Sequence, residues 1–406
     1  MSDVELTPVR EAHKFDVEAL ETYLNQHVED FAGPLTIKQF EGGQSNPTFQ
    51  LITPTRRYVL RKQPPGELLP SAHQVDREYK VMDGLWQTEV PVPKMYCLCE
   101  DTSVIGTKFY VMEMVEGRLF NETTMPTESN DTRKAVYLDL ARVLALLHKV
   151  DPAAVGLGEF GRPGNYYERQ IGRWSKQYIA SQTEDIQAMH SLMEWLPANI
   201  PANAGSVIVH GDYRLGNVLI HPTQPKIVAV LDWELSTLGD GLADLGYLCQ
   251  DYHGDAYNDE GLASADLESL GIPTEEEFVA EYCKHAGLDG IDNWSFYLIY
   301  NMFRSAGIIQ GVYKRGLDGN ASSEKALEYN EKAIVLLKEL GDKHYLGNAY
   351  NNMGNVYEEL NNYDKALECH HKSLALREDL ENIRGIIHSY GNIGLIYGKK
   401  DNYSKA

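Results

Sequence analysis

The chain has 406 residues, 43% of them apolar and 24% charged, which is material for two or three globular domains and excludes wholesale disorder. Its 37 Lys and Arg against 59 Asp and Glu leave a net charge of −22, which excludes non-specific binding to nucleic acid or to anionic membrane, because both need clustered positive charge. No run of about 18 apolar residues is present to cross a bilayer. Met1 to Arg10 lacks the apolar stretch of a signal peptide, so a cytoplasmic protein is expected. The five cysteines are sparse and odd in number, which reads as reduced thiols. Cys97-Leu98-Cys99 is the one close pair, and without a second ligand pair it reads as strand packing rather than a metal site.

Residues 14–31 space their apolar positions as a helix does. Strand-like runs follow at Leu35 to Phe40, Thr48 to Thr53, Arg57 to Lys62, Lys94 to Cys99 and Phe109 to Met114, with a helix from Ser71 to Trp86 between the third and the fourth. From Asp131 the pattern turns helical, over 131–149, 164–182, 184–196, 274–286 and 293–315, broken by short apolar runs at Val207 to Val209 and Ile227 to Leu231. A small β-rich lobe followed by a larger α-rich one puts any site in the cleft between them.

The strongest local signal is Val207-Ile208-Val209-His210-Gly211-Asp212-Tyr213-Arg214-Leu215-Gly216-Asn217, followed by Val228-Ala229-Val230-Leu231-Asp232-Trp233-Glu234. Asp212 and Asn217 are flanked by apolar strands, and Asp232 ends another. Phosphoryl transfer needs these parts: a carboxylate (Asp212) to orient the attacking hydroxyl and accept its proton, and an amide oxygen with a second carboxylate (Asn217, Asp232) to hold Mg²⁺ against nucleotide phosphates. Oxygen donors suit a hard cation. A lone HGD would more simply cap a turn; the full spacing with the second acid favours catalysis.

HGDYRLGN with LDWE resembles the aminoglycoside phosphotransferase family, small-molecule kinases of protein-kinase-like fold, over roughly residues 30–320. Gly211 and Trp233 stand where the protein-kinase HRD and DFG motifs differ, which points to the small-molecule branch. The resemblance implies ATP and Mg²⁺ as cofactors and extends to further landmarks. The loop Glu41 to Thr48, with Gly42, Gly43, Ser45 and Asn46, would cover the ATP phosphates. Arg61, or Lys62 as second choice, would be the phosphate-binding cation. Arg61 shares a strand face with Val59 because side chains alternate. Glu78 would pair with that cation, and the segment from Phe109 to Gly117, with Glu113 and Val115, would be the interlobe hinge against adenine. His210 reads as a brace of the catalytic loop, and Asp244 as a helix cap and loop brace.

A narrower likeness rests on GGQSNPTF, YVLRKQPPGELLPSAHQVDREY, GRPGNYYERQIGRWSKQY and FRSAGIIQGVYKRGLDGNAS. These resemble the kinase-like domain that stands alone in bacteria or is fused to acyl-CoA dehydrogenases in animals, which implies a hydroxyacyl acceptor, free or as its CoA thioester. Arg169, Arg173 and Lys176 share one helix face, and with Arg162 and Arg214 nearby they would read an anionic substrate. The alternative is a helix face paired with local acids, and the acidic chain as a whole would suit a cationic acceptor such as an aminoglycoside or choline.

Beyond residue 320 the texture changes. All 17 prolines and 5 tryptophans lie before it. The segment from Ala321 carries 10 Asn and 8 Tyr and a net charge of about −2. Lys325-Ala326-Leu327-Glu328 recurs as Lys365-Ala366-Leu367-Glu368, and Tyr350, Gly354, Tyr357 and Tyr363 recur as Tyr390, Gly394, Tyr397 and Tyr403, a period of 40. Small residues recurring where helices approach, with large ones between, mark stacked helical hairpins. The order resembles tetratricopeptide repeats: a B helix near 323–340, an A–B hairpin near 345–380 and a lone A helix near 385–399. The sequence stops where the next B helix would start, which points to an artificially set boundary or an engineered fusion. With no Gly/Ser linker before it, the helix at 323–340 is expected to belong to both domains. Asn352 and Asn392 could clamp a peptide backbone on the repeats, or face solvent as polar filler.

The expected fold is therefore α+β: a two-lobed protein-kinase-like unit (N-lobe 1–115, C-lobe 116–322) followed by an all-α repeat segment (323–406). The expected function is ATP-dependent phosphorylation of a hydroxyl on a small molecule, with a peptide or protein on the repeats and no nucleic acid or membrane partner. A scaffold with an idle kinase-like domain is the alternative, and the joint presence of Asp212, Asn217 and Asp232 favours the enzyme.

Overall fold

The computed structural model describes residues 6–40, 46–64, 73–162, 164–183, 185–202, 205–254, 261–317, 334, 338, 343–360, 362–380 and 382–403. The chain divides into two compact units, one of residues 1–171 with 192–303 and the other of 172–191 with 304–406.

The first unit opens with a six-stranded antiparallel sheet. Its strands are β1 (Leu6–Thr7), β2 (Thr36–Phe40), β3 (Thr48–Ile52), β4 (Arg57–Lys62), β5 (Met95–Cys99) and β6 (Phe109–Glu113), in the order β1-β2-β3-β4-β6-β5. The two faces of the sheet have different partners. Helix α1 (Val17–His27), capped by the Asp16 carboxylate on the Ala19 amide, lays Leu20 and Leu24 on one face, among Phe49, Leu51, Tyr58, Leu60, Cys97, Cys99 and Phe109. Helix α2 (Val75–Leu85) lays Val75, Val81, Met82 and Leu85 on the other, against Val59, Tyr110 and Met112. Alternation along β4 thus sends Tyr58 and Leu60 towards α1, and Val59 and Arg61 towards α2. The helix expected over 14–31 is shorter than its apolar pattern: it ends at Val28, in extended conformation, and Val28 and Phe31 are buried from beyond the helix. All five cysteines are buried and free.

The remainder of this unit is built on α3 (Asn130–Lys149), capped by Ser129 and packed on its buried stripe from Val136 to His148. Two short ribbons carry the motif loops. In one, β7 (Val207–Val209) pairs with β10 (Thr237–Gly239); in the other, β8 (Val218–Ile220) pairs with β9 (Ile227–Val230). Helices α4 (Tyr166–Ser181), α5 (Gln187–Ala198), α6 (Gly241–Cys249), α7 (Leu267–Leu270), α8 (Glu275–Ala286) and α9 (Trp294–Leu317) complete the order, with α4, α5 and α9 divided between the two units. Helix α8 begins in a reciprocal capping box between Thr274 and Glu277 and ends at Gly287 in the left-handed conformation.

In the second unit, α10 (Lys343–Glu359), α11 (Tyr363–Asp379) and α12 (Ile383–Tyr403) stack in sequence, as the 40-residue period requires. Ile334, Leu346, Ala349, Tyr350, Met353 and Cys369 form one apolar cluster, and Ala366, Leu367, Leu374, Ile393 and Ile396 the next. The helix expected near 323–340 lies outside the described residues except at Ile334 and Lys338. Asn352 is buried, and the Asn392 amide donates to Asn351 at 3.1 Å, so neither is solvent-facing filler and Asn392 is engaged in helix packing. Among the described residues no helix is long and apolar enough to cross a membrane.

His370 is fully buried in this unit, with no hydrogen-bond partner on either ring nitrogen. Burial pushes its pKa down to about 4, against the pull of Glu358 and with help from His388 and Arg377. The unfolded chain therefore binds the proton more tightly than the native one. Stability contributed by neutral His370 is complete above about pH 6.5 and declines as the pH falls towards 4, by on the order of 1–3 kcal/mol. His370→Phe keeps a flat ring and removes the titration. Thermal melts of the variant, followed by circular dichroism, should lose less stability than wild type between pH 7 and 4.5.

Candidate active site

The predicted residues meet where β4, α2 and the two motif ribbons converge. From the sheet, Arg61 is 12% exposed and its Nε lies 3.1 Å from the Glu78 carboxylate of α2. Glu78 also accepts hydrogen bonds from the Asn46 amide (2.8 Å) and the Tyr110 hydroxyl (2.9 Å). Burial raises the Glu78 pKa to about 7, while Arg61 and Tyr110 pull it back. Arg61 itself is held above its ordinary value: burial opposes the charge, and Glu78, Tyr110 and Asp232 outweigh burial. Asn46 is fully buried and its Oδ1 faces His73 Nδ1 at 3.1 Å, so it braces Glu78 from the start of β3. Gly42, Gly43 and Ser45 lie outside the described residues.

Lys62, the second choice for the cation, turns to the opposite face of the sheet. It is 3% exposed, its Nζ lies 5.8 Å from the Phe15 ring centroid, and burial lowers its pKa. The alternation of β4 that takes Arg61 to Glu78 takes Lys62 away from it.

The HGD turn is held from behind by α6. The buried Asp244 carboxylate accepts the His210 amide at 2.6 Å and the Gly211 amide at 2.8 Å. Burial would raise its pKa; His148, His210 and the Gly211 amide reverse that and hold it below the ordinary carboxylate value. Asp244 is thus the expected loop brace, but it does not cap the helix. That role falls to Asp240, whose carboxylate accepts the Leu242 amide at 2.9 Å. His210 is structural. Its Nε2 bonds the Leu231 carbonyl at 2.9 Å, which requires the proton there, and its Nδ1 then accepts the Asp212 amide at 3.2 Å. Gly211 has φ +85° and a Cβ on it would come 2.7 Å from the Leu235 carbonyl oxygen, so only glycine fits between His210 and Asp212.

Asp212 has both oxygens engaged. Oδ2 accepts the Asn217 amide at 2.8 Å, and Oδ1 accepts the hydroxyl of Tyr247, from α6, at 2.6 Å. Tyr247 is a site residue that sequence reasoning missed, because its 35-residue separation from Asp212 carries no local signal. The Asn217 amide nitrogen also donates to the Asp212 carbonyl at 2.8 Å, which fixes the side chain with its nitrogen towards Asp212. The Leu231 amide donates to the Asn217 carbonyl at 2.8 Å and closes the β8–β9 ribbon, so the backbone of Asp232 follows next to that of Asn217. Asp232 has left-handed backbone (φ 64°), and Arg61 Nη2 donates to its Oδ1 at 2.8 Å. Trp233 is fully buried against the His210 ring, 4.6 Å between centroids. Glu78, Arg61 and Asp232 are thus linked through their side chains and Asn217 and Asp212 through theirs, with the Leu231–Asn217 backbone bond joining the two sets into one series.

The segment expected as the hinge runs on from β6. The Arg118 amide donates to the Ile220 carbonyl at 2.7 Å, and a Cβ on Gly117 would come 2.8 Å from Leu219 Cβ, so the segment after β6 is pressed onto β8. Within it, the Glu113 amide donates to the Lys94 carbonyl at 2.8 Å, and Val115 is two residues on. Of the three arginines expected at the substrate, Arg214 stands beside Asp212, with Nε 3.7 Å from Oδ2 and its side chain 44% exposed. Arg169 bonds the carbonyls of Gly164 and Arg162, and so braces its own loop. Arg173 lies in the second unit with its guanidinium over the adjoining Trp174 ring.

These findings can be set beside known proteins. The profile of the tetratricopeptide repeat matches residues 322–379 and 345–406. Human acyl-CoA dehydrogenase family member 11 is 45% identical over 326 residues, 79% of this chain and 42% of that protein. Mouse acyl-CoA dehydrogenase family member 10 is 44% identical over 322 residues, 79% of this chain and 30% of that one. The chain thus spans less than half the length of these curated relatives. A crystal structure from Ralstonia eutropha, provisionally described as an aminoglycoside phosphotransferase, is 50% identical with a TM-score of 0.72, covering 79% of this chain and 95% of that one. Macrolide 2'-phosphotransferase type I shares the fold at 18% identity (TM-score 0.51; 84% and 97% covered). The profile of the phosphotransferase enzyme family matches residues 36–292, the span that holds every residue from Asn46 to Asp244 placed above, and the chain accordingly belongs to that family, with tetratricopeptide repeats after it.

Proposed function

We propose that this chain transfers the γ-phosphoryl group of ATP to a hydroxyl of a small molecule, with a hydroxyacyl chain or its CoA thioester as the acceptor class. The observation that carries the reading is the linked series from Glu78 through Arg61 and Asp232 to Asn217 and Asp212. Asp212 is the base: its carboxylate is oriented by Tyr247 and Asn217 and 23% exposed, placed to take the proton of an incoming hydroxyl. Arg61, held by Glu78, is the phosphate cation.

The donor set fits Mg²⁺. The Asn217 amide nitrogen is spent on Asp212, which leaves Oδ1 as an oxygen donor, and with the Asp232 carboxylate it makes an oxygen set of the kind hard cations take together with water and phosphate oxygens. When bound, the ion would neutralise phosphate charge. Arg214, exposed and next to Asp212, is the side chain best placed to meet an anionic acceptor. The hydroxyacyl assignment draws on the relatives named for acyl-CoA dehydrogenases.

ATP consumption measured across hydroxyacyl-CoAs, aminoglycosides and choline tests the class. Turnover only with the cationic acceptors would overturn the hydroxyacyl assignment, and turnover with none would overturn the enzyme. The cation is tested separately by ATP titration calorimetry. Arg61→Lys keeps the charge and loses the fork that spans Glu78 and Asp232, so nucleotide affinity should fall about tenfold. Lys62→Met should leave it within about twofold, since Lys62 lies under Phe15.

A further inference from the structure

Helix α2 carries a second charged side chain into the first unit, directly before Glu78. Arg77 Nη2 donates to the Phe160 carbonyl at 2.7 Å and to the Ser236 carbonyl at 3.3 Å. Its guanidinium lies flat enough on the Phe160 ring to bring the central carbon 4.0 Å from the centroid. Two turns further along α2, a Cβ on Gly84 would come 2.8 Å from the Val155 carbonyl oxygen. The helix is therefore fastened near both ends to the segment from Val155 to Phe160.

Ser236 closes the turn that Asp232 opens. Its amide and its hydroxyl both donate to the Trp233 carbonyl, at 3.1 and 2.6 Å, and Trp233 is buried against His210. The backbone from Asp232 to Ser236 is thus held as one piece. Two neighbouring residues of α2 grip its two ends. Glu78 holds Arg61 Nε, and Arg61 Nη2 reaches Asp232 at the start of the turn; Arg77 bonds Ser236 at its end. The contacts close a ring: Glu78, Arg61, Asp232, the turn, Ser236, Arg77 and back along α2 to Glu78. A closed ring fixes the separation of α2 from the Asp232 turn, and only at the right separation does one guanidinium span two carboxylates. Burial lowers the Arg77 pKa, against the pull of the neighbouring Asp76. A buried cation resting on neutral carbonyls gains little as an ion pair, so what Arg77 contributes is geometry.

We propose that Arg77 is a positioning residue for phosphate binding: by holding the Asp232 turn at a set distance from Glu78, it keeps Arg61 forked between them before the nucleotide arrives. This rests on the reading of Arg61 as the phosphate cation. Preorganisation removes an ordering cost from binding, so the loss of Arg77 is felt in ATP affinity, and it is felt through Glu78 and Arg61.

A double-mutant cycle on ATP affinity, read by calorimetry in the presence of Mg²⁺, tests it. Arg77→Met keeps an unbranched chain on Phe160 and removes both carbonyl bonds. It should weaken ATP about tenfold in the native chain, but less than about twofold in Glu78→Gln, where Arg61 has already lost its charged holder. The drop in melting temperature caused by Arg77→Met should be the same in both backgrounds, because Glu78 does not touch Phe160 or Ser236; that separates positioning from folding. If Arg77→Met does not fold, Arg77→Lys takes its place, with a loss of about threefold confined to the native background. ATP affinity unchanged by loss of Arg77, or reduced equally in both backgrounds, overturns the proposal while leaving Arg61 its role. ATP affinity unchanged by Arg61→Lys overturns the reading of Arg61, and the role of Arg77 with it.

Discussion

Asp212→Asn should lower the turnover number about 10²–10⁴-fold while ATP affinity stays within about threefold. The substitution suits a clean test because the pocket can accept the amide. Asn217 donates to one oxygen of Asp212, a contact that an amide oxygen preserves. The other oxygen faces the Tyr247 hydroxyl, which can rotate to accept from an amide nitrogen instead of donating. What is lost is the proton acceptor. The measurement is paired: steady-state turnover of the acceptor that proves active, and ATP binding by calorimetry. Normal turnover would make Asp212 a turn residue and end the catalytic reading of the motif. Loss of ATP binding together with turnover would place the defect in the nucleotide site, against the role given to Asp212.

The second large effect lies behind the motif. Asp244→Ala removes the acceptor of two buried amides, His210 and Gly211, and leaves His148 facing a void. Buried donors left unsatisfied cost about 1–3 kcal/mol each, and a broken buried charge network about 3–5 kcal/mol in all. For a domain of this size the melting temperature should fall by on the order of 10 °C. Activity should fall with it, since the anchor of the loop from His210 to Asn217 is gone. Asp240→Ala is the control, four residues away on the same helix. It removes a buried N-cap whose carboxyl pKa burial raises to about 6, and with a single amide left unpaired it should cost about 1–2 kcal/mol. Equal melting temperatures for the two variants would show that Asp244 is not the brace of the loop.

Legibility in the sequence followed the range of the interactions involved. The strands of the N-lobe were readable because half-buried strands alternate, and the same alternation put Arg61 on the face of Val59, while its pairing with Glu78 was implied by the family resemblance alone. Asp212 and Asn217 were readable because five residues of chain fix their distance. The apolar pattern over 14–31 outruns the helix at its C-terminal end, since Val28 and Phe31 are apolar for the sheet's core and not for a helix face. Asp244 was assigned a cap it does not form, because Asp240 offers the same side chain at the position where the helix begins. Arg169 and Arg173 looked like a substrate stripe on helical spacing alone. Spacing cannot say that Arg169 would be taken by the carbonyls of its own preceding loop.

By itself, then, the sequence determined the parts list and the periods: the β-rich lobe before the helical one, the loop that carries Asp212 and Asn217, the strand that ends in Asp232, and the 40-residue repeat. These depend on contacts within a few residues or on recurrence, and both leave a pattern along the chain. Only the tertiary structure decided that Arg61 meets Glu78 and Asp232 while Lys62 turns to Phe15, that Tyr247 orients Asp212, and that Asp244 holds two loop amides. Each of these is set by groups brought together across tens of residues, where the folded backbone alone fixes distance and burial.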